Sequence, residues 1–89
     1  MPSLGDRLRT SRQEKGLNLT EAAEQLQVAR TAYRLWERDA ATPSPEHWNA
    51  IALWCDVPLA TLLRDLGLLS AEEEDVLLRL AARELRRRN

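Results

Sequence analysis

The sequence predicts an all-α protein, and three features of its 89 residues support that fold class. Ala, Leu, Glu and Arg, which all favour helices, dominate the composition. Valine and isoleucine, which favour strands, are sparse. Apolar residues recur three or four apart in short segments that glycine, proline and capping residues separate, which predicts five or six short helices. The contents of 44% hydrophobic and 30% charged residues are typical of one small globular domain rather than a disordered chain.

Local signals predict where most of these helices begin and end. The expected helices lie at about residues 3–15, 18–26, 30–38, 45–55, 59–66 and 70–87. Asn18 with Glu21, and Ser70 with Glu73, have the three-residue spacing of a capping box, in which side chains and backbone N–H groups bond reciprocally. Gly16 is suited to the left-handed backbone conformation with which many helices end. Local residue patterns therefore predict several of the helix boundaries.

The third predicted helix follows a turn at residues 27–29 and has two different sides. Tyr33 and Trp36 lie three residues apart, so both are expected to face the core. Residues four apart share a helix face. The other side carries a basic stripe with that spacing: Arg30, Arg34 and Arg38.

The fourth helix is expected to start at a serine–proline pair. Ser44 is a good capping residue, and Pro45 at the first helical position loses an N–H that would have no partner there. We expect one apolar face on this helix, made of Trp48, Ile51, Ala52 and Cys55.

Composition argues against several classes of function. The single cysteine, Cys55, excludes an internal disulfide, and with only one histidine, His47, neither a metal site nor a Cys–His nucleophile is expected. We find no glycine-rich phosphate loop, so no cofactor and no enzymatic activity are expected. No apolar run reaches the length of a membrane span, and the first ten residues lack the apolar segment of a signal peptide, which favours a cytoplasmic protein.

From Leu4 to Leu63 the sequence resembles the Cro/lambda-repressor-like (xenobiotic-response-element type) helix-turn-helix family. The matching positions are Leu8-Arg9, Arg12, Gly16-Leu17-Asn18, Glu21-Ala22-Ala23, Leu26, Val28, Arg30, Tyr33, Trp36-Glu37-Arg38, Pro43-Ser44, Ile51-Ala52 and Val57 through Leu62. The resemblance implies a five-helix lambda-repressor-like domain over residues 1–69, with the motif at about 18–38. Residues 70–89 then form an extra C-terminal helix that serves dimerisation or packing.

The resemblance also implies which residues contact double-stranded DNA. The third helix would enter the major groove, where arginine can bond guanine with two hydrogen bonds. Expected base contacts are Arg30, Thr31, Arg34 and Leu35; expected phosphate contacts are Asn18, Arg38 and Thr42. Arg12 and Glu37 match a pair that forms a buried salt bridge between the first and third helices.

Several positions depart from the family pattern. Leu19 replaces a glutamine that often bonds a phosphate, and Ala29 replaces a polar helix cap. Gln27 and Asp39 replace glycines, at a cost of roughly 1 kcal/mol each if the backbone there is left-handed. Asp39 is also expected to repel a nearby phosphate. The net charge of −1 is low for a nucleic-acid binder.

The last predicted helix carries apolar residues that suit a dimer interface. We expect a stripe that both closes the core and joins two copies of the chain: Val76, Leu77, Leu80, Ala81 and Leu85. Because some of the family's phosphate contacts are missing, a second copy would compensate by binding a second half-site on the same DNA.

The sequence-based hypothesis is a homodimeric transcriptional regulator that binds DNA, a repressor of phage-repressor, controller or antitoxin type. The alternative is a protein–protein interaction module on the same fold whose DNA contacts have weakened. Leu19, Leu35, Trp54 and the near-neutral charge motivate that alternative, because exposed apolar residues often mark a partner site.

Overall fold

The computed structural model describes residues 3–88, which form six α-helices and one short 3₁₀ helix joined by turns and loops. The α-helices are α1 (Leu4–Glu14), α2 (Leu19–Leu26), α3 (Arg30–Glu37), α4 (Trp48–Trp54), α5 (Leu59–Asp65) and α6 (Ala71–Arg88). The predicted all-α class is confirmed. The described residues contain no strand.

Reciprocal caps begin three of the helices. Asn18 and Glu21 form the predicted box at α2: the Glu21 N–H donates to Asn18 Oδ1 at 2.8 Å, and the Asn18 N–H donates to Glu21 Oε1 at 3.0 Å. Ser70 and Glu73 form the second predicted box at α6, with both bonds at 3.0 Å. A third box, from Ser3, begins α1. These bonds satisfy N–H groups that a helix start otherwise leaves without partners.

The start of the fourth helical segment differs from the expectation. Pro45–His47 form a 3₁₀ turn, and α4 begins only at Trp48. The expected cap by the Ser44 side chain is wrong: this side chain accepts no N–H bond from the helix start, and its hydroxyl donates to the carboxylate of Glu46 at 3.0 Å. The Trp48 indole N–H donates to the carbonyl of Pro43 at 2.9 Å and so holds the incoming loop against this turn.

The core receives one fully buried side chain from each of the first five helices. These side chains are Leu8, Ala22, Tyr33, Ile51 and Leu62, each exposed by 1% or less. The predicted inward positions of Tyr33 and Trp36 are confirmed, since Trp36 also lies in this cluster. A core built from five helices gives α3 a rigid support on its inner side.

Close contact between α1 and the end of α3 depends on Gly5. A Cβ atom at Gly5 would lie 2.4 Å from the carbonyl oxygen of Glu37 and 2.8 Å from Oδ2 of Asp39. Arg9 adds a bond from Nη2 to the same Glu37 carbonyl at 3.1 Å. The C-terminal end of α3 is therefore held directly against the first turn of α1.

The last helix packs mainly on α5 and does so with an unexpected face. Glu74 is buried and accepts a hydrogen bond from Arg64 Nη1 at 2.8 Å, and Leu78, one turn later, is half-buried. The residues of the predicted stripe are exposed instead: Val76 by 53%, Leu77 by 42%, Leu80 by 52% and Leu85 by 64%. The expectation that this stripe closes the core was wrong. An ion pair and Leu78 attach α6 instead.

Candidate nucleic-acid interface

The exposed side of α3 carries the side chains that the sequence singled out. Residues 30, 31, 34 and 35 form two adjacent rows of i, i+4 spacing, so they share one face of the helix. All of these side chains are exposed: Arg30, Thr31, Arg34 and Leu35. The opposite side is buried in Tyr33, Trp36 and Glu37. The helix thus presents a basic surface about two turns long on a buried apolar support.

The two aromatic residues of α3 support this surface from below. The Tyr33 ring meets the Trp54 ring edge-on, with centroids 6.2 Å apart and planes at 79°. The Trp36 ring lies 5.5 Å from that of His47. Burial, with the neighbouring carboxylate of Glu37, raises the pKa of the Tyr33 hydroxyl, which stays protonated at neutral pH. Neither aromatic of α3 is available to stack on a base.

Arg12 and Glu37 form a two-point ion pair between α1 and α3. Arg12 Nη2 donates to Glu37 Oε1 at 2.7 Å and Nε donates to Oε2 at 3.0 Å. The same guanidinium donates from Nη1 to the carbonyl of Leu17 at 3.1 Å, so it also holds the segment that leads into α2. Burial opposes ionisation of Glu37, but hydrogen bonds from Arg12 and Tyr33 outweigh it and lower the pKa of the carboxyl. This pair sets the position of α3 relative to α1 and α2.

The turn between α2 and α3 lies at the predicted residues 27–29 and begins with a left-handed residue. Gln27 has φ of 58°, and the N–H of Val28 donates to the carbonyl of Ala23 at 3.0 Å. Val28 is half-buried and packs against the core. Ala29 caps α3 with backbone geometry alone, without a side-chain bond.

Asn18 lies at the start of α2, on the N-terminal side of the motif. Its side-chain oxygen is occupied by the capping bond to the Glu21 N–H. The side chain is exposed, and its amide NH₂ group is a donor of the kind that a phosphate oxygen accepts.

The segment after α3 holds the other residues that the sequence assigned to phosphate contact. Arg38 ends α3 and Thr42 lies in the following loop, and both are exposed. Between them Asp39 has φ of 55°, a left-handed conformation at a position where the family often has glycine. Its carboxylate accepts bonds from Ser3 Oγ at 2.7 Å and from the Gly5 N–H at 2.9 Å.

Sequence reasoning missed this role of Asp39. A carboxylate bound at the N-terminus of α1 is stabilised by the positive end of that helix, so its charge is partly offset there. The partners lie 36 and 34 residues away in the sequence. No local pattern connects them.

A family model described as a helix-turn-helix domain matches residues 3–66. The chain belongs to this helix-turn-helix family, which is of the Cro/lambda-repressor-like class. Membership supports a DNA-binding regulator in general. No curated protein and no solved structure matches the sequence. The matched range ends before α6, so the last helix of this helix-turn-helix protein lies outside the family's shared domain.

Two kinds of site are absent from the part of the chain that the structure describes. Within residues 3–88, no group of three or more His, Cys, Asp or Glu side chains is placed to hold a metal ion. None of the helices in this range combines the length and the apolar run that a membrane crossing requires.

Proposed function

We propose that the protein is a homodimeric transcriptional repressor that binds a pseudo-palindromic operator in double-stranded DNA. The observation that carries this proposal is the exposed basic face of α3 on a helix whose inner face is fully packed. A rigid helix of this kind can enter the major groove and keep its side chains in one register along the base pairs.

Within the groove, the residues of α3 have different tasks. Arg30 and Arg34 can each donate two hydrogen bonds to a guanine. Thr31 lies between them and can bond a base edge or touch a thymine methyl group. Leu35 has no hydrogen-bonding group, so its contact is with a thymine methyl group.

Three residues around α3 are proposed to hold the DNA backbone. Asn18 approaches one phosphate from the start of α2, while Arg38 and Thr42 approach the strand from the other end of α3. Phosphate contacts set the register on the duplex without contributing sequence information. Arg12 and Glu37 act indirectly, because their ion pair holds α3 in place.

The charge of the chain explains why two copies are needed. Residues 1–47 carry seven basic and seven acidic side chains, so one copy neutralises few phosphates. Affinity at a given salt concentration follows the number of neutralised phosphates, and two linked copies double that number. Repression then requires only that the bound dimer covers a promoter. We also propose that the protein acts in the cytoplasm, because a DNA-binding regulator must share a compartment with its DNA. The proposed type of regulator is a phage repressor, a controller protein or an antitoxin.

The direct experiment is selection of bound sequences from a random duplex pool, followed by a salt titration on the selected site. We expect an inverted repeat and a linear fall of log affinity with log salt. Arg34→Ala removes one base contact, whereas Arg79→Ala removes the same charge from an exposed ion pair on α6 and serves as the matched control. Absence of any binding at low salt would overturn the proposal and favour the interaction-module alternative.

A further inference from the structure

The outer face of α6 has a charge order that is complementary to itself. Side chains of an α-helix advance by 100° per residue, so the face opposite Glu74 and Leu78 can be assigned from the numbering. From the N-terminus to the C-terminus that face carries two acids, two apolar residues and two arginines: Glu72 and Glu73, then Val76 and Leu80, then Arg83 and Arg87. Arg79 lies at one edge of this face, and Leu77 lies on the flank beyond the other edge. Leu85 does not belong to it, because it lies seven residues after Leu78 on the inner side.

The apolar centre of this face is open to solvent. Val76 and Leu80 are exposed by 53% and 52%, and Leu77, on the flank, is exposed by 42%. A shallow groove beside them is lined by Leu69, Glu72, Glu73, Val76 and Leu77. An exposed apolar strip with charged ends is typical of a surface that a partner covers.

The helix dipole explains only part of this pattern. Acids in the first turn and bases in the last turn stabilise any isolated helix. The dipole gives no reason for three exposed aliphatic residues between them, nor for a helix of 18 residues of which only the first half packs on α5. The C-terminal half, from residue 79 onward, is exposed on every side that the structure describes.

We propose that α6 pairs with α6 of a second copy in antiparallel orientation, which deepens and rests on the homodimer proposed above. Antiparallel pairing places the acidic start of each helix against the basic end of the other. Parallel pairing would place acids against acids and arginines against arginines. The partner is therefore a second copy of this chain, oriented by charge.

A specific register brings the apolar residues together. With the two-fold axis at the level of residue 78, Val76 of one copy lies beside Leu80 of the other. Glu72 then lies beside Arg83 of the second copy. Glu84 lies at one edge of the same face, close to Glu73 of the second copy, and these two acids form an unfavourable pair. Arg79 lies at the other edge, where it comes near Arg79 of the second copy. Replacement of Glu84 by lysine should therefore strengthen the dimer.

The proposed interface between the two α6 helices is small, so the dimer is expected to be weak. A single helix pair buries less than the roughly 800 Å² per partner of a standard stable interface. We expect reversible pairing that becomes tight on an operator, where both copies are held at high effective concentration.

The test measures oligomeric mass by sedimentation equilibrium without DNA. We expect a concentration-dependent dimer of the wild-type chain. Leu80→Glu should weaken it at least about tenfold, equivalent to roughly 1.4 kcal/mol. The matched control is Leu53→Glu, which places the same charge on an exposed leucine of α4 and should leave the dimer unchanged. A monomer at all concentrations, or equal effects of the two substitutions, would overturn the pairing.

Charge reversal tests the orientation. The double substitution R83E/R87E creates like-charge contacts in an antiparallel dimer and should weaken it, and adding E72R/E73R should restore it. Lys15→Glu, which reverses an exposed charge at the end of α1, is the control and should have little effect. In a parallel dimer the first double substitution would not weaken association, and that result would overturn the proposed orientation.

DNA binding is measured separately, so that the two proposals can fail independently. A wild-type monomer that still binds duplex DNA would overturn the pairing alone. A dimer with the predicted charge dependence and no affinity for DNA would support the pairing and overturn the proposed function.

Discussion

The carboxylate of Asp39 accepts a 2.9 Å hydrogen bond from the backbone N–H of Gly5, 34 residues earlier in the chain. This bond joins the residue that follows α3 to the first turn of α1. Asp39 occupies a left-handed position where glycine is the easiest residue, and its side chain compensates for the backbone strain. The C-terminal end of α3 is thereby attached to α1, in addition to the ion pair of Arg12 with Glu37.

The first prediction compares two left-handed positions. Gln27→Gly should stabilise the protein by roughly 1 kcal/mol, because it removes backbone strain at an exposed side chain. Asp39→Gly removes similar strain but also loses the bonds from Ser3 and Gly5. Since each bond to a charged acceptor is worth about 1.5–3 kcal/mol when buried, and less when partly exposed, we expect a net loss of about 1 kcal/mol. Urea unfolding of both variants checks this; changes of the same sign would contradict it.

The second prediction separates binding from folding on α3. Arg30→Ala and Arg34→Ala should abolish operator selection while stability changes by no more than about 0.5 kcal/mol, as expected for exposed residues. Trp36→Ala should do the reverse, with a loss of about 3–5 kcal/mol from truncation of a buried aromatic residue. Thermal unfolding combined with binding to the selected duplex measures both quantities. A large loss of stability in either arginine variant would show that these side chains are structural.

The third prediction concerns the ion pair between α1 and α3. Arg12→Ala leaves the buried carboxylate of Glu37 without its main partner and should cost about 3–5 kcal/mol. The double replacement of Arg12 and Glu37 by methionine removes both charges and should cost clearly less. The free energy of unfolding of the two variants, measured by chemical denaturation, checks this prediction. Equal losses would mean that the packing of these side chains matters more than their charges.

The fourth prediction is a loss of stability in acid. The pKa of Glu37 is lowered in the folded state from its usual value of 4.5, so the unfolded chain binds this proton more readily. The corresponding stabilisation is complete above about pH 4.5 and decreases as the pH falls through the lower folded-state value. Unfolding curves between neutral pH and strong acid should show this decrease in the wild type and a smaller one in Glu37→Gln. The same slope in both would assign the acid sensitivity to other carboxylates.

Much of this fold could be predicted because its signals are local. The capping boxes of Asn18 and Ser70 join residues three apart, so the bonds are visible as spacing. The inward positions of Tyr33 and Trp36 follow from the same helical period. Ser44 shows where such reasoning fails: its oxygen accepts no N–H bond from the helix start, and its hydroxyl donates to the Glu46 carboxylate instead. Because a hydroxyl can both donate and accept, spacing alone does not decide which bond it makes.

The sequence by itself determined the all-α class, most helix boundaries and the basic face of α3, because each depends on residues within two turns of one another. Only the tertiary structure decided that Asp39 bonds α1 rather than facing outward, and that Gly5 permits this contact. It also decided which face of α6 is free, since Glu74 meets Arg64 on another helix. Contacts between distant segments depend on how the helices pack, and no pattern within either segment specifies that arrangement.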